Sequence, residues 1–397
     1  MNYSIRKKIV SIALLGATTS SMAILAEHAS LYKDPRMMGM GGANIAVGAY
    51  STSVFTNPAG LASIKKDDGF VVDLLGITGS MSPDVINFVD DLSDVETDSD
   101  INPSATDDLL NVLKEYSGTP FHIGVDNYTS ISKNSDAFAW SIGILAASDF
   151  NYMAHPNGGT QGLVTTTSRA YGGLVLGAAK PYETEFGRLD VGLSLKYIVQ
   201  KSYEGGLSIT DLLADDVSTV IRDKFEKDGT GIGADLGVTY HPFVDNYWHP
   251  AIGMSIMNIG SMSMDDQFGG QPMTVNIGAS ITPEFPVFDK FVLAIDYVDL
   301  MNANTIREYN IDDNSFTDYE DADFAKRLRV GVGMGLIDNS WFHLTLKTGL
   351  YQGAYTAGLD LALALLKVNV ATYQENVGTS ATPIEDRRYM AQIGIGW

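Results

Sequence analysis

Residues 189–200 read LDVGLSLKYIVQ, and this stretch decides the fold class. Apolar side chains stand at every second position from Leu189 to Val199, and the positions between them are polar or small apart from Ile198. Such alternation predicts a β-strand with one apolar face and one polar or small face. The pattern lasts about ten residues, the length that a tilted strand needs to cross a lipid bilayer.

Similar segments recur from Gly69 to the C-terminus, and we count about fourteen. They predict an all-β protein, a transmembrane antiparallel β-barrel of about fourteen strands. Clear examples are 232–241, 328–336, 342–347 and 389–397. The full set lies near 69–80, 119–131, 137–148, 165–181, 185–203, 229–243, 247–260, 270–283, 288–301, 324–337, 340–351, 353–363, 365–376 and 386–397.

The connections between these segments alternate in length. Outer-membrane barrels have short periplasmic turns and longer outer loops. With both termini in the periplasm, every connection except Gln352–Gly353 falls on the expected side, which a soluble β-sandwich would not require. The short connections lie near 132–136, 181–185, 241–247, 283–286, 338–339 and 365, and the long ones near 81–118, 149–164, 204–228, 261–269, 302–323 and 377–385.

Composition excludes several classes of protein. The 397 residues include no cysteine, so disulfides, thiolate metal sites and cysteine nucleophiles are absent. The formal net charge of −22 argues against nucleic acid as a partner. Charged residues make up 19% of the chain and glycine occurs 40 times, which suits either a soluble all-β protein or a membrane barrel.

The first 26 residues have the layout of a secretory signal peptide. A basic stretch at 6–8 precedes an apolar stretch at 9–25, and small residues permit cleavage after Ala23 or Ala26. The alternative is an N-terminal membrane anchor. No later run of about 18 apolar residues suggests a transmembrane helix, so the sequence predicts an exported protein, and the strand pattern places it in the outer membrane.

Aromatic residues gather at the short turns, where they predict a periplasmic girdle at the membrane surface. Trp397 ends an apolar-alternating last strand and resembles the signal that outer-membrane barrel-assembly machinery recognises. The expected partners are therefore outer-membrane lipid and that machinery. The girdle candidates are Tyr182, Phe186, Phe243, Tyr247, Trp248, Phe285, Phe288, Trp341, Phe342 and Trp397.

Residues 27–68 precede the first strand and contain two distinctive phrases. Gly39, Gly41 and Gly42 lie in the first, RMMGMGGA at 36–43; Asn57, Pro58, Ala59 and Gly60 lie in the second, NPAGLA at 57–62. Glycine permits close backbone approach, and Asn-Pro begins a tight turn. We expect this segment to be a plug inside the barrel, 69–397; the alternative is a loop-rich N-terminus at the periplasmic mouth.

These two phrases resemble the FadL-type superfamily of outer-membrane barrels. The C-terminal part of the chain is most similar to the TraF-like and PorV-like branch of that superfamily, in the stretches KTGLYQG at 347–353, YTAGL at 355–359 and RRY at 387–389. The resemblance covers the N-terminal phrases and the last ~55 residues well, and the middle only by pattern. It implies a 14-stranded barrel with an N-terminal plug and, for FadL-type members, uptake of hydrophobic molecules.

One departure from the transporting members concerns the outer loops, which here are acidic at 84–108, 211–228 and 312–323. Apolar stripes at 85–92, 109–113 and 209–225 predict short helices in these loops. Such helices could form a ligand groove or cap the barrel mouth.

Ionisable residues on the inward faces of the strands carry both signs, which predicts ion pairs that hold the lumen and the plug together; a selectivity ring is the alternative. The sequence has no histidine or serine spacing typical of a catalytic site, no metal-binding loop and no need of a cofactor, so we expect no enzyme. The inward ionisable residues are Asp190, Lys196, Asp235, Asp296, Arg329, Lys347, Asp360 and Lys367.

The sequence leaves two main functional hypotheses. The first is FadL-like transport of hydrophobic small molecules, such as fatty acids or hydrocarbons, across the outer membrane. The second is a non-transporting barrel that acts as a surface or envelope-assembly scaffold. A continuous apolar pocket that reaches a gap in the wall would favour transport, and a lumen filled by the plug and by ion pairs would favour the scaffold.

Overall fold

The computed structural model describes residues 27–95, 105–135, 137–155, 162–214, 216–266, 268–310, 315–339, 341–379 and 383–396. The predicted signal peptide, 1–26, and the predicted assembly signal, Trp397, lie outside these residues.

Fourteen antiparallel strands close into one barrel, which confirms the predicted fold class. Consecutive strands pair with each other, except that β9 pairs with β12, and β1 closes the barrel against β16. The barrel strands are β1 Phe70–Met81, β2 Pro120–Asn134, β3 Ala139–Ala154, β4 Val164–Thr184, β5 Gly187–Leu207, β6 Glu226–Pro242, β7 Ala251–Met257, β8 Thr274–Ile281, β9 Lys290–Tyr297, β12 Leu328–Asp338, β13 Phe342–Tyr351, β14 Ala354–Leu363, β15 Leu366–Asn376 and β16 Glu385–Gly396.

The remaining two strands, β10 Thr305–Asn310 and β11 Ser315–Glu320, form a hairpin in the long connection between β9 and β12. The sequence indicated only an acidic loop here. The strands are six residues long and lack a continuous apolar alternation, so the period-two signal is too weak to reveal them.

The alternation on β5 confirms the sidedness predicted for the barrel strands. Val191, Leu195 and Val199 are exposed on the outer face, whereas Asp190 and Lys196 are buried on the inner face. Apolar side chains therefore cover the outside of the wall, and polar or small side chains line the lumen.

The connection lengths follow the predicted asymmetry. The turn between β4 and β5 contains only residues 185–186, whereas 38 residues separate β1 from β2 (82–119). The predicted exception is also present: Gln352 and Gly353 join β13 to β14 with φ values of 52° and 81°. Two consecutive left-handed residues suit the right-handed twist of a two-residue hairpin.

Short helices form at the outer ends of the strands, as the apolar stripes predicted. They are α2 Val85–Ser93, α3 Ala105–Glu115, α4 Ile209–Leu212 and α5 Val217–Phe225, after the single turn α1 Pro35–Met38 near the N-terminus. The stripe predicted at 209–225 is split in two, and Asp216 caps α5 by accepting a hydrogen bond from the Thr219 amide. No helix in the described part of the chain is long and apolar enough to cross a membrane.

The apolar faces of these helices pack together above the β2–β5 side of the barrel. Phe88 stacks on Phe121 at 4.2 Å between ring centres, and Leu113 and Leu207 are buried in the same cluster. The helices therefore cap this side of the outer end rather than leave an open apolar groove.

Candidate functional site

The first glycine-rich phrase lies against the inner wall at β12–β14. A Cβ atom on Gly39 would lie 2.8 Å from the Cα of Gly358, so the two backbones meet with no side chain between them. The Thr356 hydroxyl fixes this contact by accepting a hydrogen bond from the Gly41 amide (3.0 Å) and donating one to the Gly39 carbonyl (3.0 Å). Gly41 has a φ of 66°, a conformation that glycine adopts without strain.

The Asn57 side chain makes hydrogen bonds both within the N-terminal segment and to the barrel wall. Its Oδ1 accepts a hydrogen bond from the Ala59 amide (3.1 Å), which caps the short helical turn Pro58–Ser63. Its Nδ2 donates to the Ile45 carbonyl (2.7 Å) and to the Thr239 hydroxyl of β6 (3.1 Å). One buried side chain therefore connects two parts of the N-terminal segment with the barrel.

Glycines in the wall make room for this second phrase. A Cβ on Gly192 of β5 or on Gly237 of β6 would overlap atoms of Asn57, Pro58 or Ala59. Within the segment, a Cβ on Gly60 would lie 2.7 Å from the Cα of Gly48. Residues 27–68 thus fit the inner wall backbone to backbone.

Most of the predicted luminal charges are ion-paired within the wall. Their ammonium, guanidinium or imidazole nitrogens lie within hydrogen-bond distance of carboxylate oxygens, and each of these pairs joins residues of the wall rather than the wall and the N-terminal segment. The pairs are Lys196–Asp235 (2.9 Å), Lys347–Asp360 (2.5 Å), Lys367–Asp73 (2.8 Å) and Asp190 with both Arg188 (2.8 Å) and His241 (3.1 Å).

Asp296 has no ion pair and accepts hydrogen bonds from backbone amides instead; the other exception among these residues is Arg329. It is 4% exposed, and no carboxylate of the described chain lies within ion-pair distance of it. Its Nη1 donates to the carbonyls of Lys326 (2.6 Å) and Leu328 (3.1 Å), and its guanidinium carbon lies 3.9 Å from the centre of the Tyr351 ring. A Cβ on Gly42 would approach its Cδ at 3.3 Å, so the first phrase packs on its aliphatic stem.

A third group of site residues, at 27–33, has no recognisable signal in the sequence. Glu27 pairs with Arg388 (2.5 Å), Lys33 pairs with Glu375 (2.5 Å), and the Arg169 guanidinium donates to the Ser30 carbonyl (2.6 Å). Each partner is more than 130 positions away in the chain, and no local pattern announces such contacts.

Burial and charge compete at these N-terminal residues. Burial acts to raise the pKa of Glu27, but the Arg388 guanidinium and the Lys33 ammonium outweigh it and hold the pKa well below its ordinary value. Burial lowers the pKa of His28, although the hydrogen bond and charge of Asp321 act in the opposite direction. Glu27 is therefore anionic, and His28 is neutral at pH 7.

Two adjoining cavities lie in the lumen above the fitted phrases. A cavity of about 180 Å³ is bordered by Arg329, Tyr351 and Met37, and a cavity of about 330 Å³ reaches the hairpin at Arg307. Residues 28–30 border both. The two cavities therefore adjoin between the outer hairpin and the N-terminal segment. No group of histidine and acidic residues suited to a metal ion occurs in the described residues.

Comparison with known proteins identifies related chains. Residues 54–348 match the family model described as "F plasmid transfer operon, TraF, protein". No curated protein matches the chain.

Several solved structures are similar over almost the whole barrel. One is the toluene transporter TbuX of Ralstonia pickettii, with a TM-score of 0.52 and 14% identity over 92% of this chain and 98% of that one. Another is a TodX deltaS2S3 mutant monoaromatic hydrocarbon channel, with a TM-score of 0.50 and 11% identity over 93% of this chain and 98% of that one. A Pseudomonas aeruginosa FadL homologue is also similar, with a TM-score of 0.48 and 10% identity over 94% of this chain and 98% of that one. The first two are channels or transporters rather than enzymes. At these identities the likeness shows a shared fold, and it confirms the resemblance to FadL-type barrels.

Proposed function

Because this chain belongs to the family of the TraF protein of the F plasmid transfer operon and has the FadL-type barrel fold, we propose that it is an outer-membrane transporter. Its solutes are small molecules with hydrophobic bodies, such as fatty acids or hydrocarbons. The outer face of the barrel contacts lipid, and its last strand is read by the barrel-assembly machinery.

The pair of adjoining luminal cavities supports this proposal most, although their lining is partly polar and they meet no gap in the described wall. They lead from the outer hairpin to the N-terminal segment, so a solute that enters from outside reaches residues 28–30 and then the glycine-rich phrase. In this proposal residues 27–68 are a plug. The barrel wall is continuous, and passage therefore requires the plug to move within the lumen or the wall to open.

A disulfide between plug and wall tests the proposal. A Cβ on Gly177 of β4 would lie 2.6 Å from Cγ1 of Val54, an atom at about the place that a cysteine sulfur at residue 54 would take, so the two side chains meet closely enough for an S–S bond. The chain has no cysteine of its own, so V54C/G177C forms one defined cross-link. The assay is uptake of labelled long-chain fatty acid and of toluene by cells that carry the variant, with V54C and G177C alone as controls.

We expect uptake to stop when the cross-link forms and to return with reductant, because the plug is then fixed to β4. Equal uptake by the oxidised and the reduced variant contradicts transport through plug movement. The same holds if cells that lack the protein take up the solute as fast as cells that carry it.

The alternative, a non-transporting scaffold, is favoured by a different observation. The plug contacts the wall through backbone atoms at Gly39 and Gly192 and through ion pairs, and this fit fills the lower lumen. A barrel of this kind would keep its shape without admitting solutes. Cells that lack the protein would then take up every tested solute at the normal rate.

A further inference from the structure

Arg329 is a buried cation with no carboxylate within ion-pair distance among the described residues. The luminal lysines Lys196 and Lys347 each have a carboxylate within 2.9 Å. In Arg329 only Nη1 has hydrogen-bond acceptors; Nε and Nη2 have none among the described residues. A buried charge of this kind is costly unless an opposite charge compensates it.

The reason for the missing partner lies in the neighbouring strand. Asp296 of β9 stands directly opposite Arg329 of β12 in the antiparallel register. Its carboxylate is nevertheless directed to the plug, where Oδ2 accepts hydrogen bonds from the amides of Asn44 (2.6 Å) and Ile45 (2.8 Å). The acid that could neutralise Arg329 therefore holds the plug instead.

The cavity beside Arg329 contains no other free carboxylate in the part of the chain that the structure describes. Asp34 is engaged by Arg36 (2.6 Å) and by the Thr52 hydroxyl (2.7 Å). Asp299 is engaged by Arg327 (3.3 Å) and by the backbone and side-chain amides of Asn304 (3.0 Å each). A direct ion pair with Arg329 therefore requires either a turn of the Asp296 side chain, whose Oδ1 has no hydrogen-bond partner in the described structure, or an anion that enters the cavity from outside.

One part of the lining suits an apolar body, beside polar side chains such as Gln271 and Asn276. Met37, Met38, Phe55, Met257 and Val298 border the same cavity of about 180 Å³. Methionine side chains adapt to ligands of varied shape and contact aromatic rings favourably. An apolar cavity on the order of 150 Å³ accommodates benzene, so this one has room for a ring or a short chain that carries one small polar group.

We propose that Arg329 anchors a binding site for a small organic acid, a carboxylate on an apolar body about the size of benzoate. Its two free nitrogens, Nε and Nη2, match the two oxygens of a carboxylate, and the ring or chain of the acid lies among the methionines. This site rests on the proposed transport function, of which it names one substrate class: short organic acids with an apolar body.

Equilibrium binding of radiolabelled benzoate to the purified barrel tests the proposal, with benzamide as a neutral competitor of the same shape. The variant is R329Q. The matched control is R188Q, which replaces a luminal arginine that pairs with Asp190 and does not border the cavity. Migration in gels with and without heating shows whether each barrel is folded.

We expect R329Q to bind benzoate at least about tenfold more weakly and R188Q to bind it unchanged, because only Arg329 donates charged hydrogen bonds to the acid. Benzamide should compete at least about tenfold more weakly than unlabelled benzoate. No benzoate binding by the natural protein, equal binding by R329Q, or equal competition by benzamide would each overturn the proposal. If R329Q does not fold, the comparison of benzoate with benzamide on the natural protein decides.

The site and the transport function can fail separately. Benzoate binding without uptake by cells would leave the anion site in place and remove transport. Uptake of toluene that stops with the V54C/G177C cross-link, together with no benzoate binding, would leave transport in place and remove the anion site.

Discussion

Replacing Asn57 by alanine should loosen the plug without unfolding the barrel. The side chain makes one capping hydrogen bond, from the Ala59 amide, and its two Nδ2 protons are shared by the Ile45 carbonyl and, on β6, the Thr239 hydroxyl and the Val238 carbonyl. It is 1% exposed, so water does not replace these bonds while the plug stays docked. The barrel strands keep all their own backbone pairs in this variant.

The structure gives the size of the effect. Loss of a helix cap costs about 1 kcal/mol. Loss of each of the other two hydrogen bonds costs about 1 kcal/mol more. The sum of about 3 kcal/mol corresponds to a rise of roughly a hundredfold in the population of the undocked plug.

A buried thiol reports this population. Ser53 is fully buried in the plug, and its hydroxyl has no hydrogen-bond partner in the described structure, so S53C gives a reporter that sacrifices no bond. The labelling rate of S53C with a maleimide, relative to the unfolded chain, measures how often the plug undocks. We expect N57A to raise this rate roughly a hundredfold when docking is fast relative to labelling.

The control is N246A, which removes an asparagine that accepts a backbone hydrogen bond from Trp248 (2.9 Å) in the turn between β6 and β7 and makes no hydrogen bond with residues 27–68 in the described structure. It should leave the labelling rate unchanged. A rate for N57A within about threefold of the natural rate would refute the reasoning, since the bonds of Asn57 would then contribute less than about 1 kcal/mol to docking.

Two further changes should move the same reporter. G358A places a Cβ 2.7 Å from the Cα of Gly39, and such overpacking costs typically about 1–3 kcal/mol, so the labelling rate of S53C should rise. The control G79A, whose Cβ would meet no atom within 4 Å, should leave the rate unchanged. Equal labelling rates in G358A and G79A would contradict the backbone fit. Burial lowers the pKa of His28 despite its hydrogen bond to Asp321, so the undocked state binds more protons than the docked state once the pH falls below the ordinary pKa of 6.5. The labelling rate of S53C should therefore rise as the pH is lowered from about 7.5 to about 5.5, and H28Q should flatten that rise. An H28Q profile equal to that of the parent would show that other groups cause the pH dependence.

Much of the barrel could be predicted from the sequence because its signal is local. A strand such as β5 shows which side chains face the lumen by alternation alone, and the lengths of connections show which turns share a side of the membrane. The apolar stripes of α2 and α3 were visible for the same reason. These features depend on neighbours within a few residues.

The partners of the luminal charges were not predictable, since they depend on register. Lys196 stands opposite Gly233, and Asp235 stands opposite Ser194, so the Lys196–Asp235 pair is a diagonal contact between β5 and β6. The loop between these strands does not fix their register. A shift of one residue would turn either side chain to the lipid face and remove the pair.

The absence of an ion-pair partner for Arg329 could not be predicted even from the strand register, because the register alone predicts an ion pair that does not form. It places Asp296 opposite Arg329, and an ion pair would be expected. The backbone amides of Asn44 and Ile45 bind that carboxylate instead, and they belong to a segment about 250 residues earlier in the chain. Only the docked plug shows that Arg329 is left without an anion.

This competition for Asp296 links solute binding to the movement of the plug. While the plug is docked, its amides hold Asp296, and Arg329 is available to a solute anion. If the plug leaves, Asp296 loses these two donors and stands directly opposite Arg329, where it can pair with the guanidinium. The solute anion then loses its counterion in the open state, in which the lumen below it is free. A ligand shifts an equilibrium only by its differential affinity for the two states. The same acid that binds the closed barrel would therefore favour the closed state and be released on opening, so the free energy for displacing the plug must come from outside this site.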